Sequence, residues 1–110
     1  MAFQRVCKLS DLVEGQGQEF LVGSRIVAVF RIADDIFAVD GICAHQGGPI
    51  AKGRLEGRCV TCPWHGWQYD VASGVHLISN KQMLDCFSTE IRGDAIWVDP
   101  DSATGNLSYS

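Results

Sequence analysis

Short runs of apolar and β-branched residues, separated by turn residues, recur along the chain. Residues 25–33 read Arg-Ile-Val-Ala-Val-Phe-Arg-Ile-Ala, and residues 36–40 resume the same extended pattern after Asp34-Asp35. Such runs favour strands, and two acidic residues between them favour a turn. This part of the sequence therefore predicts a β-hairpin.

A second hairpin is predicted near the C-terminus. Phe87, Thr89 and Ile91 alternate with polar neighbours, and Gly93-Asp94 separates them from the apolar residues 95–98. Alternation with period two places the members of each set on one face of a strand, and a glycine beside an aspartate is a common turn sequence.

Helical patterning is almost absent from the sequence. Residues 10–15 can form one helical turn with Ser10 as its N-terminal cap, but no longer stretch repeats its apolar residues every three to four positions. The sequence therefore predicts an all-β fold built mainly from antiparallel strands.

Between the two hairpins, residues 41 to about 85 differ in composition from the rest. Glycines punctuate this stretch, and all three histidines lie inside it. We interpret it as an inserted lobe that carries the functional site. Residues 101–110 are polar and aperiodic, so we expect a single domain over residues 1–100 followed by a flexible tail.

Size and charge narrow the classes of function. The chain has 110 residues, of which 46% are hydrophobic, and a net charge of -4. One domain with a modest core is expected, and the acidic balance argues against non-specific nucleic-acid binding. No apolar run approaches the roughly 20 residues that cross a bilayer, and residues 1–5 do not resemble a signal peptide. We therefore expect a cytoplasmic protein.

Two short motifs carry the candidate chemistry. Cys43-Ala44-His45 and Cys62-Pro63-Trp64-His65 each offer one thiolate and one imidazole, and residues 46–61 separate them. Two such loops can face each other and supply two sulfur and two nitrogen ligands. This pattern predicts either a tetrahedral zinc ion or a two-iron cluster.

The remaining cysteines bear on that choice. The total of five is odd and no export signal is present, so metal ligation explains the cysteine pattern better than disulfides do. Cys59 precedes Cys62 in a C-x-x-C pair that zinc could use. However, the two motifs already supply four ligands, and we interpret Cys7, Cys59 and Cys86 as unligated thiols in strands.

The sequence around the motifs resembles a known family. Residues 43–49, Cys-Ala-His-Gln-Gly-Gly-Pro, and residues 62–67, Cys-Pro-Trp-His-Gly-Trp, are similar to the two cluster-binding boxes of Rieske proteins. The similarity extends over roughly residues 5–98 and implies antiparallel sheets that form a base with an inserted cluster-binding lobe. It also implies a Rieske-type [2Fe-2S] cluster with four ligands: Cys43, His45, Cys62 and His65.

For a short chain, this resemblance implies a ferredoxin rather than an enzyme. Such a monomeric carrier takes one electron from a flavin-dependent reductase and gives it to a terminal oxygenase, for example an aromatic-ring dioxygenase. The alternative is a Rieske-like small subunit of a larger reductase, such as assimilatory nitrite reductase. A complete Rieske oxygenase also needs a mononuclear iron with two histidines, and only His76 remains for that role.

Three positions depart from the high-potential members of the resembled family. Those proteins carry a disulfide and a serine that bonds a cluster sulfur, whereas the matching positions here are Gly48, Trp64 and Trp67. Tyr69 does match the family tyrosine that donates to a ligand sulfur. We therefore predict a reduction potential in the lower part of the Rieske window of about -150 to +300 mV.

Two further expectations concern the surroundings of the cluster. Many Rieske domains cover it with a proline-rich third loop, but residues 79–82, Ser-Asn-Lys-Gln, contain no proline. His76 lies outside both boxes, and we predict a surface or loop histidine there. Trp64 either packs the lobe or shields the cluster and meets a partner.

Overall fold

The computed structural model describes residues 3–43, 47–64 and 66–104, and it consists mainly of two antiparallel sheets. The predicted all-β fold is confirmed. The base sheet has the order β1-β11-β10-β4-β3-β2, with β1 at Gln4–Lys8, β2 at Gly17–Val22, β3 at Arg25–Ile32, β4 at Asp35–Asp40, β10 at Cys86–Arg92 and β11 at Ala95–Thr104. The lobe sheet has the order β5-β6-β7-β8-β9, with β5 at Arg54–Glu56, β6 at Cys59–Thr61, β7 at Gln68–Asp70, β8 at Val75–His76 and β9 at Lys81–Gln82.

Both predicted hairpins form in the base sheet. Strands β10 and β11 meet at Gly93-Asp94, where Gly93 has a φ of 62°. Strands β3 and β4 meet one residue earlier than predicted, because Ile32 pairs with Asp35 and leaves Ala33-Asp34 as the turn. Ala33 has a φ of 54°, a left-handed conformation that tight hairpin turns require and that is uncommon outside glycine.

Strand β3 is buried on both faces, which explains why its sequence is apolar without strict alternation. Val27 and Val29 belong to a core cluster inside the base. Ala28 and Phe30 point the other way and belong to a second cluster that includes residues of the lobe. The base and the lobe therefore share one buried strand.

An ion-pair cluster fastens the lobe to the base where the chain crosses between them. Asp40 ends β4 and Asp85 precedes β10, and the Arg25 guanidinium lies 2.9 Å and 3.0 Å from their respective carboxylates. The Asp40 N–H also donates to the Asp85 carbonyl oxygen, at 2.9 Å. These contacts hold the entry and exit of the lobe side by side.

The helical turn near the N-terminus begins earlier than predicted. A 3-10 helix occupies Leu9–Asp11, and its cap is Lys8 rather than Ser10. The Lys8 N–H donates to the Asp11 carboxylate at 3.0 Å, and the Leu9 N–H donates to the Asp94 carbonyl at 2.7 Å. A second 3-10 helix lies at Ile50–Lys52. In the part of the chain that the structure describes, no helix is long and apolar enough to cross a membrane.

Strand β11 passes the boundary at residue 100 where we expected the tail to begin. It continues to Thr104, and Cys86 pairs with that residue. The Asp99 carboxylate accepts the Asp101 N–H at 2.9 Å, and the Ser102 hydroxyl accepts the Ser88 N–H at 2.7 Å. These side-chain bonds extend a polar strand that hydrophobic patterning cannot reveal. The rest of the expected tail, residues 105–110, lies outside the described residues.

Candidate metal centre

The first candidate loop begins where β4 enters the lobe. The Cys43 N–H donates to the Gly48 carbonyl at 2.8 Å, and the Gly47 N–H donates to the Cys43 carbonyl at 2.9 Å. Gly47 has a φ of 77°, which glycine adopts without strain. These bonds close a tight loop and leave the Cys43 side chain buried.

The second candidate loop connects β6 and β7. The Cys62 N–H donates to the Trp67 carbonyl at 2.7 Å, which closes the loop around residues 63–66. Cys62 follows the last residue of β6 directly, and its side chain is 1% exposed. The strand pairing of β6 with β7 therefore fixes where this thiol lies.

The two loops touch each other at Gly48. A Cβ atom on Gly48 would lie 2.8 Å from the Cys62 sulfur and 3.0 Å from the Trp64 Cβ. Any larger residue would displace the thiol or the indole, so the close approach of the loops depends on glycine. The geometry also shows that positions 48 and 64, which correspond to the disulfide of high-potential Rieske proteins, are neighbours in this chain.

The two candidate thiols interact directly. Burial raises the pKa of the Cys62 thiol, a hydrogen bond at the Trp64 backbone lowers it, and the Cys43 sulfur raises it again. A buried pair of thiols resists ionisation unless positive charge lies nearby, and a bound iron supplies such charge. This donor set therefore fits a metal centre with thiolate ligands.

Tyr69 lies where the resemblance implied. Its side chain is wholly buried, and its hydroxyl oxygen is 3.2 Å from the Cys43 sulfur. Strand β7 holds it there by pairing Tyr69 with Val60 of β6. When Cys43 is a thiolate, the phenol is the only possible donor, so the contact is a hydrogen bond to the ligand sulfur.

The two predicted histidine ligands are not among the described residues. His45 and His65 lie outside the described residues, together with Ala44 and Gln46. The structure brings Cys43 and Cys62 together, and the assignment of all four ligands stays a prediction. Elsewhere in residues 3–43, 47–64 and 66–104, no group of three or more histidine, cysteine or acidic side chains is arranged to hold a metal ion.

The other three cysteines lie in strands, as predicted. Cys7 is in β1, Cys59 in β6 and Cys86 in β10. Burial raises the pKa of each thiol, and for Cys86 burial and the nearby Asp85 carboxylate raise the pKa to about 11. These thiols are therefore protonated near neutral pH, which is compatible with packing in strands.

The prediction for His76 is wrong. This histidine lies in β8, where it pairs with Tyr69, and it is 5% exposed. Its ring centroid is 4.4 Å from that of Trp67 and 5.6 Å from that of Tyr69. A strand of two residues has no periodicity to read, so the sequence carried no signal that His76 faces the interior.

Comparisons with known proteins agree with this geometry. The sequence profile of the Rieske [2Fe-2S] domain matches residues 2–88. Ferredoxin CarAc of Metapseudomonas resinovorans is 29% identical over 86% of this chain and 90% of its own length. The ferredoxin component of the naphthalene 1,2-dioxygenase system of Pseudomonas putida is 29% identical over 83% and 88%. Methylxanthine N1-demethylase of Pseudomonas putida is 33% identical over 89% of this chain, which spans only 32% of that enzyme.

Solved structures give the same result. A chain in the complex of reduced oxygenase and oxidised ferredoxin of carbazole 1,9a-dioxygenase has a TM-score of 0.79 and 28% identity, covering 87% of this chain and 91% of that one. The small subunit of a putative NADPH nitrite reductase has a TM-score of 0.78 over 90% and 99%, but at 21% identity it shows the fold alone. The chain belongs to the Rieske [2Fe-2S] domain family, and its cofactor is a Rieske-type [2Fe-2S] cluster.

Proposed function

We propose that this protein is a one-electron carrier, without catalysis of its own, that delivers electrons from a flavin-dependent reductase to a terminal oxygenase. The observation that carries the proposal is the pair of buried, interacting thiols of Cys43 and Cys62 on two loops that meet at Gly48. The ferredoxin components that resemble the chain over most of their length support the same role.

Four side chains hold the cluster in this proposal: the thiolates of Cys43 and Cys62 on one iron, and the imidazoles of His45 and His65 on the other. When bound, the cluster accepts one electron and releases it again. Neutral imidazoles in place of two thiolates make the site less negative, which raises its potential above that of plant-type ferredoxins. The protein adds two further features. Gly48 lets the first loop approach the Cys62 sulfur closely, and the Tyr69 hydroxyl donates a hydrogen bond to the Cys43 sulfur.

The potential of this carrier lies low in the Rieske window. Gly48 and Trp64 cannot form the disulfide of high-potential members, and Trp67 cannot supply the serine hydroxyl. Tyr69 matches the family tyrosine, and its hydroxyl hydrogen-bonds the Cys43 sulfur. Fewer donors around the sulfurs stabilise the added electron less.

The two loops present an uncharged, partly apolar surface for the oxygenase. The side chains of Trp64 and Ile42 are 50% and 48% exposed, and each residue lies within two positions of a candidate cysteine ligand. An exposed tryptophan is a common anchor at protein interfaces. Electron-transfer contacts are small and short-lived, typically below about 1,200 Å². One electron arrives from a reduced flavin, and one leaves to the oxidised centre of the oxygenase, so the carrier returns to its starting state.

The proposal includes a single domain over residues 1–100, a monomeric state and a cytoplasmic location. A small subunit of a larger reductase would instead purify only with its large partner. Gel filtration of the red protein distinguishes these cases, because a free carrier elutes at its mass of 12.0 kDa.

The test of the cluster assignment uses reconstitution of the purified protein with iron and sulfide. We expect about two irons per chain and a paramagnetic signal after one-electron reduction. Cys43→Ser and Cys62→Ser should lose this signal, while Cys59→Ser in the same lobe should keep it. A colourless wild-type protein that binds one zinc ion would overturn the proposal.

The test of the electron path mixes the cluster-loaded protein with a flavoprotein reductase, NADH and the oxygenase of a ring-hydroxylating system. We expect oxygenase reduction only when the protein is present, and a slower rate for Trp64→Ala at unchanged reduction potential. Reduction of a sirohaem reductase but not of the oxygenase would contradict the proposed acceptor.

A further inference from the structure

We propose that the third loop of the lobe controls the reduction potential through His76, which positions Tyr69 against the Cys43 sulfur. The inference rests on the proposed ligation by Cys43. It names a positioning residue outside both cluster-binding boxes, in a loop where proline is absent.

His76 is anchored to the third loop by one edge of its ring. The Ser79 hydroxyl lies 2.9 Å from Nδ1, and the Ser79 N–H donates to the same nitrogen at 3.4 Å. The Asn80 N–H donates to the His76 carbonyl at 2.8 Å, which closes the loop. Because the Ser79 N–H can only donate, Nδ1 is an acceptor, and the proton of the neutral ring is on Nε2.

The imidazole ring also packs against two aromatic side chains of the lobe, Trp67 and Tyr69. The ring stacks on Trp67 at 30° and meets the Tyr69 ring at 52°. Its Nε2 has no hydrogen-bond partner among the described residues, although it is buried. A buried N–H without an acceptor is destabilising, and an apolar residue would avoid this cost. The imidazole therefore gains its described hydrogen bonds at the Nδ1 edge alone, from Ser79.

The contacts connect Ser79 to the candidate site in three steps. Ser79 fixes the plane of His76, His76 supports the Tyr69 ring from the adjacent strand, and the Tyr69 hydroxyl reaches the Cys43 sulfur at 3.2 Å. Tyr69 is wholly buried, so its ring can move only if a neighbouring side chain moves or is replaced. Without the flat imidazole, the surface against which the Tyr69 ring packs changes shape, and the hydrogen bond to the sulfur weakens. The reduced, more negative state loses more from this than the oxidised state does, and the potential falls.

The test is a double-mutant cycle on the cluster-loaded protein, with the midpoint potential as the readout. His76→Leu keeps an apolar side chain of similar size and should lower the potential by at least half of the shift produced by Tyr69→Phe. In the Tyr69→Phe background, His76→Leu should have less than a quarter of that effect, because the bond it acts on is already gone. The iron–cysteine stretching bands in resonance Raman spectra should move in the same direction in both single variants.

A serine pair provides the matched control and protects the test against poor folding of the histidine variant. Ser79→Ala removes the anchor of the ring and should lower the potential by a smaller amount. Ser73→Ala removes a hydroxyl in the same lobe that bonds the Val75 N–H, not the imidazole, and should leave the potential unchanged.

Two results would overturn the inference. One is an unchanged potential in both His76→Leu and Ser79→Ala. The other is a shift of equal size with and without the Tyr69 hydroxyl, which would mean that His76 does not act through Tyr69. Absence of the cluster from the wild-type protein would instead contradict the proposed function.

Discussion

Replacement of Tyr69 by phenylalanine tests the hydroxyl that the structure places on the sulfur of Cys43, a candidate ligand. The substitution removes the hydroxyl that lies 3.2 Å from Cys43 and leaves the ring in its buried position. It creates no new polar group, and the sulfur that loses its donor belongs to a proposed cluster ligand. The main consequence should therefore be electronic.

The expected change in midpoint potential follows from the free energy that the hydrogen bond contributes. Such a bond contributes about 0.5–1.5 kcal/mol when neutral and about 1.5–3 kcal/mol when one partner is charged. Only the difference between the two redox states changes the potential, and we take that difference as roughly 0.5–1.4 kcal/mol. A tenfold change in equilibrium constant is about 1.4 kcal/mol, or 59 mV for one electron. Tyr69→Phe should therefore lower the midpoint potential by roughly 20–60 mV.

Protein-film voltammetry of the loaded wild-type and variant proteins measures this shift directly. The iron content and the unfolding midpoint of both proteins serve as controls, because a damaged cluster also changes the potential. A variant with full iron content and a potential within about 10 mV of the wild type would refute the reasoning, since the bond would then favour neither redox state.

Three further predictions concern the loops, the base of the lobe and the thiols. Gly48→Cys combined with Trp64→Cys should form a disulfide, seen as a loss of two hydrogens in intact mass, because the two Cβ positions lie closer than the roughly 3.5–4.5 Å of natural bridges and the loops need separate only slightly. Free thiols after oxidation would contradict this. Arg25→Gln should lower the free energy of unfolding in urea by about 2 kcal/mol, because it removes the cation beside a carboxylate that is 3% exposed, whereas Arg54→Gln at an exposed pair should cost less than about 1 kcal/mol. Equal losses would be inconsistent with the ion-pair cluster. The folded-state pKa of Cys86 is raised from 9.0 to about 11, so the folded protein holds this proton more tightly than the unfolded chain does. The resulting contribution to the free energy of unfolding is complete below pH 9 and is lost as the pH rises through 11. Cys86→Ala should therefore flatten the fall in stability between pH 9 and 11, and an identical pH profile in both proteins would show that this thiol does not contribute.

Much of the fold could be predicted because local pattern and tertiary environment agree. The β3 run is apolar along its whole length, and the structure buries it on both faces. Gly93-Asp94 ends one strand and begins the next, as turn chemistry requires. The cluster-binding boxes were recognisable for a similar reason: the two loops approach each other closely at Gly48, where the absence of a Cβ avoids a clash with the Cys62 sulfur.

Other features arise from contacts that no local pattern encodes. His76 is buried because Tyr69 of the neighbouring strand and Trp67, which precedes that strand, cover it, and its own strand is too short to show a period. Three of the last four residues of β11 are polar, and a side-chain bond between Ser102 and the backbone of Ser88 holds this segment in the sheet. In both cases the partners lie outside the segment's own strand, and the interaction outweighs local preference.

The central claim, a cluster held by two cysteines and two histidines, is tested most directly by pulsed electron paramagnetic resonance of the reduced protein. The account predicts hyperfine coupling to two imidazole nitrogens in the wild type, and to one nitrogen in each of His45→Cys and His65→Cys. A signal without nitrogen coupling would mean that the iron has only sulfur ligands. Absence of any signal, with one zinc ion per chain, would contradict the cluster itself.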